Sequence, residues 1–178
     1  MQEENNTNRK YKDRLFNFIF GSEENREWTL SLYNAINGSH YKDASKIHFY
    51  TLNDVLYLEM LNDTSFLISG TVNLYEHQST YNPNMPLRFL EYLGKLYSGY
   101  VKERRLNKYG PKRINLPTPK LVVFYNGIDG VEDERILRLS DSYIKSYSGE
   151  PDVEIKVRML NVNYGKNKKN HGILQTTI

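Results

Sequence analysis

Between Pro117 and Pro119 on one side and Asn126-Gly127 on the other, the chain runs Lys120-Leu121-Val122-Val123-Phe124-Tyr125. Alternate side chains of a strand point to opposite faces, so a strand that is apolar at successive positions has no face to give to water. This one must be covered on both sides, and the rest of the chain has to supply the covers. Helices are the natural cover for such a strand, which makes a layered α/β fold the leading expectation.

The flanking segments supply them. Tyr11, Leu15, Phe16, Phe18, Ile19 and Phe20 form an aromatic helix-like stretch that stops at Gly21. From Glu23 to Ile36, the spacing of Trp28, Leu30, Leu32, Tyr33 and Ile36 predicts a second helix with one apolar face, ended by Asn37-Gly38. A third is predicted from Leu87 to about Arg105, with Pro86 suited to its first turn. Lys46 to Leu52 reads as a short strand followed by a turn of helix from Asp54 to Leu61. Phe66 to Glu76 reads as two strands, or one bent hairpin, broken at Ser69-Gly70, with Val72, Leu74 and Glu76 facing one way. Val153 to Val162 alternates apolar and charged residues as a last strand. The expected architecture is an α/β sandwich around a mixed sheet.

At 178 residues, one domain over 11–165 accounts for the length, with a disordered tail at 1–10 and a loose one at 166–178. Only 39% of residues are hydrophobic, but 15 Tyr and 7 Phe add large buried areas. The absence of cysteine excludes disulfides, thiolate metal sites and a cysteine nucleophile, and leaves oxygen or imidazole as metal donors. No apolar leader and no run near the ~20 residues of a membrane span is found, so a cytoplasmic protein is the expectation. The net charge of +3 permits a polyanionic partner without demanding one.

Chemistry concentrates around the hairpin. Asp63 precedes its first strand, and Glu76-His77-Gln78 ends the second. Strand ends of a hairpin can meet, and Glu76 and Gln78, two apart, share a face while His77 turns away. Two carboxylates in such a place suit a hard cation such as Mg²⁺, which keeps waters for chemistry and offsets charge growing on a phosphate. The spacing alone is weakly specific. Asp63 serves equally as a turn or helix cap, Glu76 as a solvated strand-end carboxylate, and His77 is read as a packing residue.

The run DTSFLISGTVNLYEHQSTYNPNMPLR, with the upstream DRLFNFIFG and LYNAINGS, resembles the Rpn family of recombination-promoting nucleases and transposase-like proteins, within the PD-(D/E)XK nuclease superfamily. The resemblance covers about residues 11 to 165 and is strongest from Asp63 to Arg88. It implies a restriction-endonuclease-like core, a helix followed by a strand hairpin, and Mg²⁺- or Mn²⁺-dependent hydrolysis of DNA phosphodiesters. By the same resemblance Asp63 and Glu76 hold the metal, Gln78 stands where the superfamily has lysine, and Glu27 of the first core helix is the nearest match to an added acidic ligand. Glutamine can orient a water by hydrogen bonding but supplies no charge. Relatives are expected to continue with further helices, so the resemblance also implies a shortened C-terminus.

Arg88 and Tyr92, one helical turn apart, are candidates to face the site and a phosphate, or to be structural. Lys102, Arg104 and Arg105, with Lys108, Lys112 and Arg113 beyond them, are candidates to contact a DNA backbone; a solvated face is the plainer reading. Two functional readings follow. One is a metal-dependent DNA endonuclease, linked by resemblance to recombination or mobile elements, working alone or as a homodimer. The other is a catalytically idle member of the fold that binds nucleic acid or serves as an interaction module.

Overall fold

A computed structural model describes residues 15–49, 63–145 and 149–166. The expected tails, the helical turn from Asp54 to Leu61 and the second half of the Lys46–Leu52 strand lie outside the described residues.

Among the described residues, six strands form one mixed sheet in the order β1-β2-β3-β4-β6-β5. These are β1 (His48–Phe49), β2 (Asp63–Ile68), β3 (Thr71–Gln78), β4 (Thr118–Tyr125), β5 (Glu134–Arg138) and β6 (Lys156–Asn161). The first three form an antiparallel meander; β3, β4 and β6 run parallel, and β5 returns antiparallel at the edge. The α-helices α1 (15–20), α2 (Arg26–Asn37) and α3 (Met85–Glu103) flank the sheet.

Strand alternation sorts the core into two layers. On one face Tyr75, Val122, Phe124 and Leu160 meet Phe16 and Phe20 of α1 and Leu30, Tyr33 and Ile36 of α2. On the other, Val72, Leu74, Leu121, Val123 and Met159 meet Phe89, Leu93 and Leu96 of α3. Leu121 to Tyr125 are all buried, as the apolar run requires of a strand covered twice. β3 is buried from Val72 to His77, so Glu76 is a carboxylate inside the fold and not a solvated strand end.

Local chemistry explains the boundaries. Ser69 and Gly70 both take positive φ, 49° and 76°, the twist a tight two-residue hairpin needs. Gly38, at φ 61°, caps α2 in the left-handed conformation, donating its N–H to the Asn34 carbonyl. Pro86 sits in the first turn of α3. Trp28 departs from expectation: it is 49% exposed, because α2 begins at Arg26 after a 3₁₀ turn and its inward face starts at Thr29 and Leu30.

Two strands differ from the sequence reading. β6 begins only at Lys156, after the expected start at Val153, and β5 was not anticipated. Of Glu134-Arg135-Ile136-Leu137-Arg138 only Leu137 is buried, so the segment has little apolar pattern and is held by backbone pairing to β6.

Arg158 of β6 ties that edge to the rest. Its guanidinium donates to both oxygens of Glu134, at 2.6 and 3.0 Å, and to the Ile36 carbonyl at 2.9 Å. The bond from Arg158 holds the Glu134 carboxyl below its ordinary value of 4.5. A depressed carboxyl contributes stability above its unfolded value and loses it as pH falls through the folded one. Glu134→Gln should therefore melt below the parent at pH 7, and the gap should close below about pH 4, read by thermal melts across pH.

The end of α3 is strained. Arg105 has φ 51°, with its N–H on the Lys102 carbonyl and the Leu106 N–H on the Val101 carbonyl, an αL helix end built without glycine. A side chain there costs about 1–2 kcal/mol. Arg105→Gly should raise the melting temperature by a few degrees, corresponding to about 1 kcal/mol; an unchanged or lower melting temperature would show the conformation carries no such cost.

Candidate active site

β3 and α3 build the site together. β3 delivers Glu76 and Gln78 to the face covered by α3, and the loop from Ser79 to Asn84 turns the chain so that α3 starts beside that strand end. The carboxyl ends of parallel strands are where open α/β sheets most often place ligands.

Glu76 is 2% exposed. A carboxylate so buried needs close partners, because leaving water costs several kcal/mol. Arg88, one turn into α3, places Nη2 2.8 Å from Glu76 Oε1. The Gln78 side-chain amide donates to the same oxygen. Since a carboxylate accepts only, the Gln78 nitrogen must face it, leaving the Gln78 carbonyl oxygen as an acceptor for another group. Arg88 also donates from Nη2 and Nε to the Tyr92 hydroxyl, at 2.9 and 3.3 Å. Glu76, Gln78, Arg88 and Tyr92 thus form one connected polar cluster.

Asp63 opens β2 and is the Cα partner of Glu76 in the antiparallel register. Directly opposed positions of such a pair are neighbours, with Cα atoms ~4.5 to 5.5 Å apart. The Asp63 side chain lies outside what the structure describes. Family models, curated proteins and solved structures give no match to the chain.

The other sequence candidates fall elsewhere. Glu27 is exposed on the first turn of α2, and α2 covers the opposite face of the sheet from Glu76. Among the described residues no group of three His, Asp or Glu side chains is placed to hold a metal. His77 is buried on that opposite face, its ring stacked 5.6 Å from Phe16, which is the packing role expected of it. Lys102, Arg104 and Arg105 sit at the far end of α3, where Arg104 shares a cleft with the Ser69-Gly70 turn, at the other end of the sheet from Glu76. The sheet's length separates them from the carboxylates.

A supporting layer was not visible in the sequence. Tyr125 pairs with Gln78 in the parallel register, and its hydroxyl donates to Asp129 Oδ2 at 3.0 Å and accepts from the Asp129 N–H at 2.9 Å. Asn126 donates its N–H to the Gln78 carbonyl, and Asn163 donates from its side chain to the Gly127 carbonyl. Gly127 to Gly130 read in sequence as a turn; with Asn126 they brace the strand end that carries Gln78.

Proposed function

We propose that the chain is a metal-dependent nuclease of PD-(D/E)XK type, and that Asp63, Glu76 and Gln78 form its site. The register that opposes Asp63 to Glu76 across the hairpin carries this reading. Oxygen donors from both residues fit Mg²⁺ or Mn²⁺, which when bound would polarise a phosphodiester and activate water. Gln78, its amide nitrogen committed to Glu76, offers its carbonyl oxygen to orient a water. Arg88, about a third exposed and held by Glu76 and Tyr92, places a guanidinium charge beside the cluster, where it would attract a phosphate. DNA is the proposed substrate on the family resemblance.

The Arg88–Glu76 pair favours a second reading. A carboxylate already matched by a guanidinium is stable without a cation, as an idle, nucleic-acid-binding form of the fold would have it. Incubating purified protein with supercoiled plasmid in Mg²⁺, Mn²⁺ or EDTA separates the two. Nicking that requires the divalent ion and is lost in Asp63→Ala supports the nuclease; DNA retention with no carboxylate-dependent metal binding supports the idle form.

A further inference from the structure

The basic residues gathered at the hairpin-turn end of the sheet line two clefts that share Tyr100, Arg104 and Asn115. One, of about 720 Å³, lies between the end of α3 and the loop that follows, with Lys112 and Arg113 on its wall. The other, of about 490 Å³, opens onto β1 and the Ser69-Gly70 turn, with Lys46 and His48 on its wall.

Among the described residues neither lining contains an acidic side chain, and four formal cations face a continuous trough. Asp43 lies 4.0 Å from Lys46 in a solvent-exposed pair, which offsets little of that charge. The Arg104 guanidinium stands over the Tyr100 ring, 4.6 Å from its centroid. That stacking fixes the planar fork while leaving its donors at the rim. The left-handed turn at Arg105 bends the chain back so that Lys112 and Arg113 come beside Arg104, at a cost in backbone energy.

We propose that this trough is a nucleic-acid-binding site separate from the carboxylate cluster, taking the phosphodiester backbone without regard to base sequence. Side-chain fork, point charges and polar Asn115 match successive phosphates. An acidic protein is the competing partner, but four cations, one of them an Arg fork stacked on an aromatic ring, suit the evenly repeated single charges of a phosphate backbone.

The site stands apart from the hydrolytic reading because its test runs in EDTA. Fluorescence anisotropy with a labelled 20-base-pair duplex, from 50 to 300 mM salt, should give log affinity falling with log salt at a slope of about −3.6 for four contacts. Lys112→Ala/Arg113→Ala should weaken binding at least tenfold at about 100 mM salt and reduce the slope by about 2. Arg104→Gln, a single change on the helix end, should reduce it by about 1, and Lys112→Arg/Arg113→Lys should keep both affinity and slope. Unchanged affinity and slope in the Ala double variant overturns the proposal. So does binding of poly-glutamate more tightly than the duplex.

Discussion

Glu76→Gln protein is expected to fold and to cleave DNA at least about 100-fold more slowly than the parent, because the variant keeps the volume but loses the charge that would hold a divalent ion worth several kcal/mol in the transition state. Glutamine can still accept from Gln78 and Arg88. Arg88 keeps Tyr92 and partial access to water, so the folding cost is about 1–2 kcal/mol. The measurement is a plasmid-nicking time course in Mn²⁺ beside a thermal melt and a metal-binding titration of both proteins. Parent-like cleavage in a folded Glu76→Gln protein would sink the catalytic assignment. Slow cleavage with parent-like metal affinity would move the metal to other residues and leave Glu76 as the anchor of Arg88.

Gly127→Ala should cost about 2–4 kcal/mol, lowering the melting temperature by roughly 10 °C. A Cβ at Gly127 would stand 2.5 Å from the Ser79 carbonyl oxygen and 2.6 Å from the Tyr125 ring, and nearer still to the Tyr125 hydroxyl. Ser79 is backbone and cannot swing aside; Tyr125 is fully buried and bonded to Asp129. Relief must come by moving the strand end, and Ser79 follows Gln78 directly. Stability and cleavage should therefore fall together, whereas a surface glycine such as Gly130, with nothing within 4 Å of its Cβ position, should tolerate alanine. A parent-like melting temperature in Gly127→Ala would show that the strand end yields freely.

What the sequence made legible is what short-range chemistry decides. The apolar run of β4, the break at Ser69-Gly70, the glycine cap at Gly38 and the proline at the start of α3 each rest on the residue itself and its neighbours. The backbone placement of Asp63 against Glu76 follows from the hairpin register, which the turn fixes. β5 escaped because its pairing partner arrives some twenty residues later, and one buried leucine in five leaves no periodic trace. The sequence offers Arg88 as a candidate for the site, but its pairing with Glu76 depends on how α3 packs across β3, a long-range outcome no spacing rule contains. The remoteness of Lys102, Arg104 and Arg105 from the carboxylates has the same origin: α3 runs back along the sheet and carries them to its other end.

The length of α3 also sets a scale. Arg88 and Arg104 lie sixteen positions apart along it, about 24 Å at the rise of an α-helix. A duplex advances about 3.4 Å per base pair, so a single DNA touching both ends must run for about seven base pairs. On the proposed reading the helix would be a ruler between the basic trough and the carboxylate cluster, and oligonucleotides shorter than its span would occupy either end without bridging them.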